Sequence, residues 1–197
     1  MTKHDVIEFF DKCAPTWDAE MIKSDEIIED ILNRAGIRED TRVLDVACGT
    51  GVLFPYYAAR GADVCGIDIS PEMVKIARAN FPDIETLCAD ALEISFDEGF
   101  GAVMVYNAFP HFPEPFDAIR ALSSHLKPGG VLTVAHGMGR DMINRHHEGA
   151  ASRVSRKLMK ASSLAEIFNE FLDVIAVVDE ADRYIVCGIC KNSNDDV

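Results

Sequence analysis

The chain has 197 residues, enough for one domain with a substantial core, and a formal net charge of −14 that argues against a polyanionic partner such as nucleic acid. With 48% hydrophobic and 26% charged residues it has the composition of an ordinary globular protein. No apolar run approaches the ~20 residues of a membrane helix, and Met1-Thr2-Lys3-His4-Asp5 lacks the basic-then-apolar profile of a secretory signal, so the expectation is a cytoplasmic protein without a membrane partner.

Val6, Phe9, Phe10 and Cys13 recur at helical spacing and predict a first helix that Pro15 stops, with Thr16-Trp17-Asp18 as a loop. Ser24 is placed to cap a second helix whose first turn carries Asp25 and Glu26. Ile27, Ile28, Ile31, Leu32 and Ala35 form its buried face, and Gly36 ends it. Alternation of strands and helices then begins. Residues 42–47 read as a strand, and a glycine turn leads into a helix to about Arg60, which Pro55 should kink unless it falls in the first turn. Residues 62–68 read as a second strand, and Ser70-Pro71-Glu72 supplies the cap, first-position proline and early acid of a helix that runs to Pro82.

Further strands are expected at 84–88 and 101–106, then a helix over about 116–126 stopped by Lys127-Pro-Gly-Gly130, and a fifth strand at 131–135. Residues 173–178 and 183–189 flank a short turn and predict an antiparallel hairpin, whereas strands joined through helices should be parallel. A polar tail follows from Lys191. The six cysteines need no disulfide framework. Cys187 and Cys190 sit three apart in an apolar strand, so their sulfurs point to opposite faces and read as small buried hydrophobes.

The most informative residues are Asp45-Val-Ala-Cys-Gly49-Thr-Gly51. A strand ends, glycines allow a tight turn, and a helix begins with free N–H groups toward a ligand. The third glycine of a dinucleotide fingerprint would fall where this chain has Phe54. A pyrophosphate turn has little use for Asp45, whereas S-adenosylmethionine, with a sulfonium and an ammonium, would favour it. Asp68 closes the second strand 23 residues later, where a carboxylate accepts hydrogen bonds from a ribose diol. Asp90 closes the third, where a carboxylate can accept from an adenine amino group.

Asp45-x-x-x-Gly49-x-Gly51, Gly66-Ile-Asp68-Ile-Ser-Pro71-Glu-Met73, Ala89-Asp90-Ala91 and Leu126-Lys-Pro-Gly-Gly130 together resemble the ordered motif set of class I methyltransferases. Within that family the chain is most similar to the small-molecule branch that includes the ubiquinone and menaquinone biosynthesis methyltransferases, over about residues 5–136. The resemblance implies an α/β fold with a doubly wound Rossmann-like sheet of seven strands, mostly parallel with a C-terminal antiparallel hairpin. It implies S-adenosyl-L-methionine as cofactor, with Asp45, Gly49 and Gly51 at the methionine portion, Asp68 and Ile69 at the ribose, Asp90 and Ala91 at the adenine, and Asn107 near the sulfonium. The segment from Phe9 to Asp18 resembles that branch's N-terminal cap, which brings Trp17 to the cofactor. The domain layout expected is one methyltransferase domain, with residues 1–36 as a helical cap and 137–165 as a helical insertion over the acceptor site. Two other classes stay open: a catalytically silent S-adenosylmethionine-binding subunit or sensor, and an NAD(P)-dependent oxidoreductase, the latter weakened by Phe54 and by the lack of a Tyr-x-x-x-Lys pair.

Residues past 136 leave the shared pattern, so the methyl acceptor is not inherited. His111 follows the fourth strand and His136 closes the fifth, which places both imidazoles at the ligand-binding rim. Three readings stand: a general base, a metal site formed with His147, or packing residues of a polar pocket. Arg140, Asn144 and His147 share a helical face and are expected to contact a small-molecule substrate, while His4 and His146 read as surface residues. Six basic residues between 140 and 160 read either as a solvated helical face or contact patch, or as a surface that makes an anionic acceptor the candidate.

Overall fold

The computed structural model describes residues 1–20 and 23–191; the polar tail after Lys191 lies outside the described residues. The strands are β1 (Arg42–Val46), β2 (Asp63–Asp68), β3 (Glu85–Cys88), β4 (Phe100–Tyr106), β5 (Leu126–His136), β6 (Asp173–Asp179) and β7 (Tyr184–Ile189). They form one sheet in the order β3-β2-β1-β4-β5-β7-β6. The five strands from β3 through β2, β1 and β4 to β5 run parallel to one another, and β7 is antiparallel to both β5 and β6. The helices are α1 (Lys3–Cys13), α2 (Trp17–Glu20), α3 (Asp25–Arg34), α4 (Phe54–Ala59), α5 (Pro71–Asn80), α6 (Pro115–Ser123), α7 (Arg140–His146) and α8 (Ala161–Asn169). Among the described residues no helix is long and apolar enough to cross a membrane.

Two apolar layers cover the sheet because successive strand residues face opposite ways. Leu44 and Val46 of β1 join Ile119 and Leu122 of α6 and Leu164 and Phe168 of α8. Val43, the neighbour of Leu44, joins Ile28, Ile31 and Leu32 of α3 and Phe54 and Tyr57 of α4 on the other face. The cysteine pair divides in the same way, with Cys187 buried in the α3–α4 layer and Cys190 packed against the opposite one.

Two expectations are corrected. α1 ends at Cys13, before Pro15, but Thr16-Trp17-Asp18 is not a loop: the chain continues as a 3-10 turn at Ala14–Thr16 and then α2. A proline in a first turn removes an N–H that has no helical partner there in any case. Pro55 falls in the first turn of α4, the placement that the expectation allowed without a kink. The segment Lys127–Gly130 does not separate a helix from a strand: α6 has ended by Ser123, and β5 already pairs Leu126 with Phe100 before the register shifts to Val131 opposite Ala102. Gly129 has φ 74°, and a Cβ on Gly130 would stand 2.7 Å from the Phe100 carbonyl oxygen, so glycine permits this irregularity inside the strand.

From β1 the chain moves outward to β2 and β3, then returns to place β4 and β5 on the other side. The β1–β4 boundary is therefore a topological switch point, where open α/β sheets form a crevice beyond their strands' carboxyl ends.

Candidate active site

A cavity of about 560 Å³ occupies that crevice, lined by the turn after β1, the ends of β2, β4 and β5, residues 89–92, α7 and, as a roof, α1 and Trp17. Its first half is made by backbone. Ala47, Gly49 and Gly51 have φ values of 54°, 57° and 91°, a turn that non-glycine residues rarely adopt. Gly49 lines the cavity. Gly51 does not, which corrects its assignment as a direct contact: a Cβ there would meet the Phe54 ring at 2.7 Å, so it shapes the turn through packing.

Asp68 locks this turn. It is 8% exposed, and its carboxylate accepts the Gly49 N–H at 2.8 Å and the Ser70 N–H at 2.9 Å, one on each oxygen. Burial raises its pKa in spite of those bonds. Each oxygen keeps a further lone pair for a ligand, and Ile69 beside it also lines the cavity.

Asp45 is placed differently from the expectation. It is 2% exposed, does not line the cavity, and its Oδ2 has no hydrogen-bond partner. Burial, then the Asp68 charge, push its pKa up to about 8, partly offset by the Tyr57 hydroxyl. A buried carboxyl two residues before a ligand-binding turn, short of a partner, fits a cationic ligand group nearby and gives nothing to a phosphate.

Asp90 and Ala91 line the cavity, but Asp90 already has partners: Oδ1 accepts the Leu92 N–H at 2.9 Å, and Oδ2 pairs with Lys3 Nζ at 2.6 Å. Lys3 also bonds Glu93 at 2.6 Å. Two more acids fix the roof: Asp11 accepts the Ser70 hydroxyl and Asp18 the Thr50 hydroxyl, both at 2.5 Å. These three anchors were missed, since their partners lie 32 to 90 residues away in sequence and no local pattern joins them. Trp17 Nε1 would stand 3.7 Å from a Cβ on Gly49. Phe10 meets Trp17 edge-on at 5.6 Å and His111 at 4.8 Å, so one aromatic side chain spans both halves of the cavity.

Asn107 stands between the halves at φ 55°, its Oδ1 accepting the Gly137 N–H at 3.0 Å. Beyond it are the histidines. His111, His136 and His147 all line the cavity, with 5.2 Å between the His111 and His147 rings. His136 is 2% exposed and its Nε2 has no partner, as has His147 Nδ1. Burial lowers the pKa of His111 to about 4 and of His136 to about 3, and it lowers that of His147. All three are therefore neutral near pH 7. The metal reading fails on geometry: among the described residues no group of three His, Cys, Asp or Glu side chains is arranged to hold an ion. His146, expected on the surface, is exposed but reaches the cavity rim.

Of the face shared by Arg140, Asn144 and His147, only His147 reaches the cavity. Arg140 turns to Asp179 at 3.2 Å and Asp141 at 3.4 Å. Asn144 spends its amide on the backbone of Leu158. Arg156, in the same basic stretch, pairs with Glu114. Lys3 is the one lysine or arginine lining the cavity among the described residues, and it is already paired. A helix of seven residues presents a narrow face, and spacing alone did not show which part of it met acids instead.

Residues 43–130 match the family described as a methyltransferase domain. A demethylmenaquinone methyltransferase of Renibacterium salmoninarum is 34% identical over 137 residues, 66% of this chain and 58% of that protein. A ubiquinone biosynthesis O-methyltransferase of Xanthomonas campestris pv. campestris is 40% identical over 97 residues, 46% of this chain and 41% of that protein. The chain thus spans about half the length of these curated relatives. The N-methyltransferase NodS from Bradyrhizobium japonicum, solved in complex with S-adenosyl-l-homocysteine, shares the fold with a TM-score of 0.73 at 16% identity, over 98% of this chain and 100% of that one.

Proposed function

We propose that this chain, whose residues 43–130 match a methyltransferase domain, is a class I S-adenosylmethionine-dependent enzyme that transfers the cofactor's methyl group to an uncharged small-molecule acceptor. The observation that carries the reading is the continuity of one cavity from the Gly49 turn and Asp68 to three neutral imidazoles. When bound, the cofactor supplies an electrophilic methyl on a sulfonium. Gly49 would hold its methionine portion, Asp68 and Ile69 its ribose, Asp90 and Ala91 its adenine, and the buried Asp45 would favour its positive charge. Asn107 would mark the boundary where the methyl meets the acceptor.

Methyl transfer requires alignment and exclusion of water more than strong acid–base chemistry. Phe10, Phe112, Met138 and Ile143 give the second half of the cavity apolar walls; of the expected covers 1–36 and 137–165, α1 with Trp17 and the stretch from Met138 to Ala151 would do the covering. His111 or His136 would take a proton from an acceptor that must lose one. The relatives' names speak of quinone biosynthesis. Those proteins extend well beyond what this chain covers, so the acceptor is read from the cavity. An anion, which the basic stretch points to, finds no unpaired cation there.

The two other readings lose support. Phe54 fills the space under both Gly51 and Gly66, within 3 Å of where a Cβ would stand on either, which leaves a nicotinamide dinucleotide without its third glycine. A silent binder has no use for a partnerless His136 buried past the cofactor turn. The test has two stages. Calorimetry should show S-adenosylmethionine and S-adenosylhomocysteine binding while NAD and NADP do not. Incubation with metabolite pools should then release S-adenosylhomocysteine. Tight NAD binding with no response to S-adenosylmethionine would overturn the proposal.

A further inference from the structure

Residues 154–158 belong to neither wall of the cavity, yet they tie the two together. The Val154 carbonyl meets His111 Nδ1 at 2.8 Å, and the Arg156 N–H donates to the Pro110 carbonyl at 2.8 Å. On the other side, Asn144 of α7 clamps Leu158 twice: its Oδ1 accepts the Leu158 N–H at 2.7 Å and its Nδ2 donates to the Leu158 carbonyl at 3.3 Å. Val154 and Leu158 are both buried, so the segment is seated by its side chains as well.

Nδ1 has two neighbours, the Val154 carbonyl at 2.8 Å and the Ser155 hydroxyl at 3.2 Å. A carbonyl oxygen has no proton to give, so the shorter of the two contacts requires the proton on Nδ1, and the Ser155 oxygen can then only accept. A neutral imidazole carries one ring proton only, which leaves Nε2 with its lone pair. We propose that Asn144 is a positioning residue: by clamping Leu158 it holds the Val154 carbonyl against His111, fixes the Nδ1–H tautomer, and so makes Nε2 the proton acceptor that this ring offers to the cavity. The methyl acceptor that fits such a ring presents an O–H, N–H or S–H group to it. An ether, a tertiary amine or a carboxylate offers His111 nothing. This rests on reading the histidine half of the cavity as the acceptor site, but the tautomer itself can be observed with no cofactor present.

The titratable groups facing the ring are His147 of α7 and His136 of β5, and α1 presents the uncharged Phe10. None is an acid that would stabilise an imidazolium. Two-bond nitrogen–proton spectra of the full chain labelled on histidine nitrogen, with His111→Gln to assign the signal, read the tautomer directly. The wild type should show the Nδ1–H pattern down to about pH 4. Asn144→Ala should shift the signal toward the Nε2–H pattern and, because the Val154 carbonyl that supports the protonated ring is lost, move the pKa below its wild-type value of about 4, with affinity for S-adenosylhomocysteine unchanged. Asn144→Asp, which keeps the Oδ1 partner of Leu158, should retain the Nδ1–H pattern and guards against an alanine variant that fails to fold. An Nε2–H wild type, or an alanine variant with the tautomer and pKa of the wild type, would overturn the assignment. Failure of the wild type to bind S-adenosylhomocysteine would instead strike the proposed function and leave the tautomer result standing.

Discussion

The two halves of the cavity solve the same problem, holding a ligand away from water, by opposite means. The half around Gly49 is built from strand ends and backbone: Asp68 is held by two N–H groups, and a turn with three positive φ values exposes peptide groups to the ligand. The half around His111 is built from side chains of elements far apart in sequence, α1, β5 and α7, with residues 154–158 as their tie. The first is rigid because secondary structure fixes it. The second depends on a few contacts among covering segments, which makes it the part that can change its ligand without disturbing the sheet.

The largest effect that separates the halves is on turnover. His111→Ala and His136→Ala should leave S-adenosylmethionine affinity near the wild type and lower turnover by roughly 10²–10⁴-fold, the range for a lost general base. A pH–rate limb that disappears in one variant identifies which imidazole takes the proton. Full turnover in both would reduce the histidines to packing residues. The reverse pattern is expected from the other half. Asp68→Ala releases the Gly49 and Ser70 N–H groups and removes the ribose partner, so cofactor binding should weaken by roughly 1.5–3 kcal/mol in calorimetry. Equal affinity in that variant would dissolve the distinction between the halves.

Asp45 gives a smaller effect with a definite pH signature. Its folded pKa, about 8, lies above the ordinary 3.8, so between those values the folded chain holds a proton that the unfolded chain has released. Its contribution to stability therefore falls as pH climbs from about 4 to 8 and is level above that. Asn at this position cannot titrate but still buries a polar group, so Asp45→Asn should stabilise the ligand-free chain by about 1 kcal/mol at pH 8 and flatten its melting temperature against pH. In the wild type, affinity for the cationic cofactor should rise with pH toward 8, and in the variant it should not. Parallel pH curves for both chains would show that the carboxyl is not protonated when the cavity is empty.

The same contrast explains what could be read from the sequence. Asp45, Gly49, Asp68 and Asp90 sit at the ends of successive strands, where period-two patterning and glycine chemistry are local signals, and the sheet order follows from alternation. The hairpin of β6 and β7 was legible for the same reason. The anchors Lys3, Asp11 and Asp18 were not, because an acid on an exposed helix looks alike whether it meets solvent or a hydroxyl 59 residues away. Gly51 in the turn and Asp45 near the end of β1 fell in the right region but do not line the cavity: the glycine packs against Phe54 and the carboxyl is buried, and a motif encodes neither. The basic stretch misled most. Counting its charges could not reveal that Arg140 and Arg156 each meet an acid from a distant element.

Arg140 consequently carries the smallest expected effect and the sharpest test of the acceptor half. Its guanidinium reaches Asp179 on β6 at 3.2 Å, with both side chains about a quarter exposed. The pair is half in solvent, so its worth is about 0–1 kcal/mol. Asp179 does not lose its only partner when Arg140 is removed, because the same Oδ2 accepts the Ala161 N–H at 3.1 Å at the start of α8. Arg140→Ala should then lower the melting temperature by no more than about 2–4 °C and leave the Michaelis constant of the methyl acceptor unchanged. A Michaelis constant raised tenfold with an unchanged melting temperature would mean that the guanidinium leaves Asp179 for the ligand. That outcome would restore an anionic acceptor and with it the reading of the basic stretch as a binding surface.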